Sequence, residues 1–403
     1  MFAYRVLLSL FATVTLLKAA RAGQLAARLG RETAQPGPHI WLHGASNGEL
    51  TSVRPVLEQV IAARPDLNWL ITTNTITAQT MVEGWNLPQI STRLAPVDLS
   101  YVQSRMMRRW DVRAHIALES ELWPNRFRLC PGPVLLLGAR LSESTARAWS
   151  KLGDLAQQAL APVVYASAQD SASLARFDEL GLSKDAQGPV VDLKSFYKPP
   201  SATGDGTDFS GFPRATTWLA ASTHDGEEEI VLAAHLKALE TQPELKLILA
   251  PRHPNRGDAI ADMIETAGLR FARRSAGEPP ADTQVYLADT LGEMHLWYPR
   301  AGRVYVGGGL TDRGGHTPYE PAAFEAALIF GADTKNFRAS YDRLRASDAA
   351  VEVTGVESLA QALADLEPVD VQRKKGALAI DALKQDGDID DLIQNILKHL
   401  PKE

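Results

Sequence analysis

The chain has 403 residues, 45% of them hydrophobic and 22% charged, an ordinary globular composition long enough for two domains with separate cores. A net charge of -6 argues against a general nucleic-acid binder. A single cysteine, Cys130, excludes any intrachain disulfide, no Cys/His cluster has zinc-ligand spacing, and a cytosolic-facing protein fits. At the N-terminus, Val6 to Leu17 is apolar apart from Ser9, Thr13 and Thr15. Arg5, Lys18, Arg21, Arg28 and Arg31 flank it, and no acid precedes Glu32. The run is shorter than the ~20 residues of a spanning helix, so a monotopic interfacial helix is expected. Ala20-Arg-Ala22 resembles a cleavage site and leaves a signal peptide as the alternative.

After Pro36-Gly-Pro38 a strand is predicted at His39 to His43, then the loop Gly44-Ala-Ser-Asn-Gly-Glu49, then a helix with Leu50, Val53, Leu57, Val60 and Ile61 on one side. Glu49 falls where a parallel strand hands over to a helix. Ligand crevices of open α/β sheets form there. It is either a general base or a first-turn carboxylate that complements the helix dipole. Trp69 to Thr73 is the next strand, and Tyr101 to Trp110 a basic helix carrying Arg105, Arg108 and Arg109. The strand Ala114 to Leu118 ends in Glu119-Ser-Glu-Leu-Trp-Pro-Asn125. Glu119 and Glu121 have a hydroxyl-binding or electrostatic role, or else cap and pair with Arg126 or Arg140. Strands follow at Val134 to Leu137 and Pro162 to Ala166. Breakers crowd 199–213, the expected linker, with Lys194 on its threshold; position alone leaves that lysine solvated.

The second half repeats the alternation, with strands at Thr216 to Ala221, Leu245 to Ala250, Val285 to Ala288, Val304 to Val306 and Leu328 to Phe330. Their exits carry Ser222-Thr-His224, Pro251-Arg-His253, Asp289-Thr-Leu-Gly-Glu293, Gly314-Gly-His-Thr-Pro-Tyr-Glu320 and Asn336. Five such loops at one sheet edge predict a binding crevice. The glycines after Val306 let a ligand approach the main chain, unpaired N–H groups at the following helix start attract a phosphate, and Glu320 could bond ribose hydroxyls. Helices at Val356 to Leu366 and Ile389 to Leu400 close the chain.

These motifs, from His43-Gly-Ala-Ser-Asn-Gly-Glu49 through Ala139-Arg-Leu-Ser142 to Asn336-Phe337, resemble the bacterial 3-deoxy-D-manno-octulosonic acid (Kdo) transferases of lipopolysaccharide synthesis. The resemblance covers nearly the whole chain. It implies an α/β GT-B glycosyltransferase, two Rossmann-like domains facing across a cleft with an N-terminal membrane-associated helix. The implied divisions are a membrane-surface helix at 1–30, an acceptor domain at 31–198, the linker, a CMP-sugar domain at 214–380 and a C-terminal helix at 381–403 returning to the first domain. The implied reaction moves Kdo from CMP-Kdo to a lipid A precursor (lipid IVA), with inversion, at the cytoplasmic face of the inner membrane.

By the same resemblance Glu49 matches the catalytic base, and Glu119 and Lys194 match groups that stabilise the transition state. Ser222, Thr223, His224, Pro251, Arg252, His253, Leu291, Gly292, Glu293, Gly315, His316, Thr317, Pro318, Tyr319, Glu320 and Asn336 match the donor site. Ser46, Asn47, Gly48 and Arg140 match the acceptor side. The chain lacks an Asp-x-Asp motif in a crevice loop, so no metal or other cofactor is expected. Three departures stand out: Thr317 for the family's Asn, Tyr319 for Leu, and Val191-Asp192 for Gly-Asn. The alternatives are another GT-B nucleotide-sugar transferase or epimerase, and a non-catalytic membrane-surface sugar-binding relative.

Overall fold

A computed structural model describes residues 2–199, 206–384 and 387–402. The chain forms two compact units, Met1–Phe196 with Gln385–Glu403, and Tyr197–Lys384.

The first unit holds β1 (His39–His43), β2 (Asn68–Thr73), β3 (Ile90–Leu94), β4 (Val112–Leu118), β5 (Val134–Ala139) and β6 (Val163–Ala168). They pair in parallel in the order β3-β2-β1-β4-β5-β6. That order reverses direction between β1 and β4, the switch point at which a doubly wound sheet opens a crevice. Register brings His43 beside both Thr72 and Ala117, so the loops after β1, β2 and β4 leave one edge together. β1 is buried along its whole length, as a central parallel strand covered on both faces must be. The helix Asn47–Ala63 buries Leu50, Val53, Leu57, Val60 and Ile61, the stripe expected from its periodicity. Leu392, Ile393 and Ile396 of the last helix, Ile389–His399, with Leu400 just after it, complete the same core.

The second unit contains β7 (Thr217–Thr223), β8 (Lys246–Pro251), β9 (Phe271–Arg273), β10 (Val285–Leu287), β11 (Arg303–Val306), β12 (Ala327–Gly331) and β13 (Ala350–Val353). Their parallel order is β13-β12-β11-β7-β8-β10-β9, with its switch point between β7 and β11. Apolar clusters cover both faces of this sheet. Of the run expected to be a linker, 200–205 lie outside the described residues. Beyond them Phe209 and Phe212 pack into the second core against Tyr286, so that part belongs to the second unit.

The N-terminal helix spans Phe2–Arg21, longer than the apolar run alone suggested. Leu8, Ala12 and Ala19 are buried, and Ala12 packs against Val97 and Val102. On the other face Leu10, Val14 and Leu17 stand 53–63% exposed. Their i, i+4, i+7 spacing makes one stripe. Among the described residues no helix is long and apolar enough to cross a membrane.

Candidate functional site

In the first unit the exits of β1 and β4 bring three carboxylates to the switch point. Ser46 caps the helix Asn47–Ala63 by accepting from the Glu49 amide at 3.4 Å, and the Glu49 carboxylate accepts from the Ser46 hydroxyl at 3.0 Å. Its other oxygen takes the Ala45 amide at 2.8 Å. Burial and the charges of Glu119 and Glu121 push the Glu49 carboxyl up to about 7 against those hydrogen bonds. A carboxylate at a helix start would ordinarily be acidic; this one is poised near neutrality, where a general base works best. Ser46, Asn47 and Gly48 are exposed beside it.

Glu119 sits at φ 46, a left-handed conformation that costs a non-glycine residue energy. Its carboxylate is held by the Lys194 ammonium, with both side chains more than four-fifths buried. The partner found is Lys194; of the arginines weighed for this exit's carboxylates, Arg126 lies near enough to Glu121 to favour its ionised form. Lys194 is therefore not the solvated lysine that its position suggested. Burial would lower its pKa, but Glu119 and Asp192 outweigh that and raise it. Asp192 accepts from the Lys194 amide at 3.0 Å and from Gln169 at 3.2 Å, so the Asp at this departure serves as a buried turn cap. Arg140 is near enough to oppose the Lys194 charge.

The family resemblance gives Glu121, the second carboxylate of this exit, no role. Glu121 accepts from Trp123 Nε1 at 2.6 Å and meets His43 Nε2 at 2.9 Å. Trp41 Nε1 donates to Thr72 Oγ1 at 2.7 Å, and His43 Nδ1 lies 2.9 Å from that hydroxyl and 3.0 Å from the Thr72 carbonyl, which fixes the ring with Nε2 toward the carboxylate. Burial keeps this imidazole neutral by lowering its pKa to about 4. Glu121 stays ionised, because these hydrogen bonds and the nearby Arg126 guanidinium outweigh its own burial. Arg126 lies over the rings of Trp41 and Trp123 at 4.9 and 5.6 Å.

In the second unit the exits of β7, β8 and β11 assemble a basic cluster. Ser222 turns at φ 58, Thr223 Oγ1 donates to Glu228 at 2.9 Å, and His224 Nε2 lies 2.8 Å from His316 Nε2. The two rings lie end to end within 7° of parallel, with centroids 5.0 Å apart, and His253 meets His224 edge-on at 5.7 Å. Pro251 ends β8, and the exposed Arg252 is anchored by its amide to the Thr223 carbonyl at 2.9 Å. Burial lowers His316 to about 4, helped by the charges of its neighbours.

In the glycine loop the buried carboxylate of Glu227 takes the amides of Gly308 at 2.8 Å and Leu310 at 3.1 Å, together with the Tyr305 hydroxyl at 2.6 Å, so these two amides are committed to structure. The same carboxylate takes the His224 amide at 3.0 Å, tying the β7 and β11 exits to one another. Glu227 escaped the sequence reading because a Glu at a helix start looks like a dipole partner. Gly314 and Gly315 have positive φ, and a Cβ on Gly314 would meet Asn336 Nδ2 at 2.4 Å. Asn336 donates to the Arg313 carbonyl at 2.8 Å and so braces the loop.

Other anticipated donor residues divide in the same way. Glu293 is gripped by Arg274 through contacts of 2.6 and 3.0 Å and by Thr290, which leaves Leu291, 64% exposed, and Gly292 at the loop tip. Tyr319 is buried, its hydroxyl accepting from Arg343 at 2.9 Å and from Ser340 at 3.2 Å, so this departure is absorbed by the core. Pro318 precedes the short helix Tyr319–Ala323, with Glu320 in its first turn. The Thr317 hydroxyl is buried without a partner among the described residues, a group that a bound ligand could satisfy.

Residues 22–196 match the family model of 3-deoxy-D-manno-octulosonic-acid transferase. The 3-deoxy-D-manno-octulosonic acid transferase of Haemophilus influenzae is 33% identical over 334 residues, 81% of this chain and 77% of that protein. The Bordetella pertussis transferase of the same name is 32% identical over 336 residues, covering 79% and 76%. Among solved structures, the S. aureus MnaA-UDP co-structure is 10% identical with TM-score 0.57 over 90% of this chain and 96% of that one; it shows the two-domain GT-B fold alone. With two Rossmann-like units whose switch points carry the expected carboxylates and imidazoles, and with a relative a third identical across most of both lengths, the chain belongs to the Kdo transferase family.

Proposed function

We propose that this Kdo transferase takes its sugar from CMP-Kdo and delivers it, with inversion, to a hydroxyl of a lipid A precursor at the cytoplasmic face of the inner membrane. The observation that carries this reading is the half-buried Glu49 carboxyl at the β1/β4 switch point, raised to about 7. As a base it would take the proton of the attacking hydroxyl while the bond between the anomeric carbon and the phosphate oxygen breaks. Lys194 and Glu119, held as a pair, would set the field around the developing oxocarbenium charge. The leaving phosphate would meet Arg252 and the imidazole cluster of the second unit. Cationic side chains then do what a divalent ion does elsewhere, and the reaction is expected to persist in chelator.

A lipid acceptor is supported by the N-terminal helix. Its exposed stripe belongs to the same helix as Phe11, whose ring lies 6.0 Å from Trp123, the residue that donates to Glu121. The membrane-facing element thus touches the carboxylate loop directly. Incubation with CMP-Kdo and lipid A precursor, followed by mass spectrometry of the lipid, tests the reading. Addition of Kdo supports it; an unmodified lipid, with CMP-Kdo intact, removes it.

A further inference from the structure

The His224–His316 pair has a capacity that follows from geometry. Two Nε2 atoms 2.8 Å apart cannot both carry hydrogen, which would collide, nor both lack it, which would set lone pair against lone pair. One hydrogen lies between them. The neutral pair can gain only one more proton, at an outer Nδ1, and then holds a single positive charge over two rings that lie end to end. The groups facing it are Arg252 and His253 from the β8 exit, Arg313 from the glycine loop and Glu227 from the helix after β7. The Tyr341 hydroxyl holds the His316 carbonyl at 2.8 Å.

Resting on the donor reading above, we propose that His224 and His316 act as a single chargeable unit that takes up one proton as the donor's phosphate binds and keeps it while the phosphate departs. The surroundings give the empty pair reason to be neutral: burial and neighbouring cations lower both imidazoles. An arriving phosphate reverses that balance, because an anion favours the protonated form of a nearby imidazole. Glu227, fixed by four donors, holds the His224 backbone in place and thereby sets the spacing on which the single-proton capacity depends. When the sugar–phosphate bond breaks and its electron pair passes to the phosphate oxygen, the charge needed there has already been taken from solvent. No proton needs to move at that step.

Titration calorimetry of the full chain with CMP at pH 7, in two buffers of different ionisation enthalpy, reads the proton directly. CMP is then mostly dianionic, its second phosphate pKa lying at about 6. The expected result is uptake of more than about half a proton per CMP, none with cytidine, and loss of the uptake in both His224→Gln and His316→Gln, which still bind CMP more weakly. Glutamine can keep one hydrogen bond of the pair but cannot carry the charge. CMP binding without buffer-dependent heat, or with equal uptake in wild type and both variants, overturns the proposal and leaves the donor reading standing. Failure to bind CMP at all removes both.

Discussion

Replacing Lys194 by Met removes the countercharge of Glu119 while keeping most of the packed volume. The side chains of the pair are only 17% and 16% exposed, so the abandoned carboxylate is poorly solvated. Breaking such a pair from one side costs about 3–5 kcal/mol; the residual exposure argues for ~3. In a unit of this size that corresponds to a fall of about 6–12 °C in the melting transition of the first unit. Differential scanning calorimetry of the full chain resolves this, because only the transition of one unit should move. Adding Glu119→Gln to Lys194→Met should recover most of the lost stability, since the stranded charge is gone, yet transfer should stay lost. A Lys194→Met protein that melts like wild type, or a double variant no more stable than the single, would refute the reasoning that these two groups share a desolvated pair.

Three further outcomes are expected. With the proposed base role of Glu49 and burial pushing its carboxyl up to about 7, kcat/KM should fall tenfold per pH unit below about 7 and level off above it, and a limb near the ordinary carboxylate value would contradict the buried, charge-crowded setting. For stability the sign is opposite: the raised pKa favours the folded state while the group is protonated, and that contribution is lost as pH rises from the unfolded carboxyl value through about 7. Gly331→Ala would place a Cβ 2.2 Å from the Gly309 backbone, so the β11 and β12 exits must part. A loss of ~3 kcal/mol in the second unit with weakened CMP binding is expected by calorimetry, whereas Gly355→Ala, in open space at a helix N-cap, should cost under ~1 kcal/mol and leave CMP binding unchanged. Changing Leu10, Val14 and Leu17 together to Ser should weaken binding to anionic vesicles by ~3 kcal/mol, or about 100-fold, in a sedimentation assay, and unchanged binding would refute the membrane-facing stripe.

The strands legible in the sequence are mostly central ones buried on both faces, where an unbroken apolar run has no competing explanation; β6, at an edge, is legible as well because five of its six residues are buried. The three that escaped, β3, β9 and β13, are all edge strands. β3 reads Ile-Ser-Thr-Arg-Leu with two of five residues buried, and β9 has three residues in all, so neither presents a period. The helix Val369–Leu383 escaped for a similar reason: Arg373, Lys374 and Lys375 interrupt its apolar side. At the sites, loops at strand exits pointed to the chemistry, but not to which groups are committed to structure. Glu227, Glu293 and Tyr319 look alike as polar residues in crevice loops. Only coordinates reveal that the first fills the glycine loop, the second is held by Arg274 and the third faces the core. Lys194 shows the converse, because a lysine beside a breaker-rich run reads as solvated until a partner 75 residues earlier is placed against it.

The central claim, that the Glu49 carboxylate draws the proton from the attacking hydroxyl, is tested most directly by product mass spectrometry on wild type and Glu49→Gln, each incubated with CMP-Kdo and lipid A precursor. The wild type should add Kdo, and the variant, folded and still binding CMP, should add none. Kdo transfer by Glu49→Gln at the wild-type rate would contradict the account.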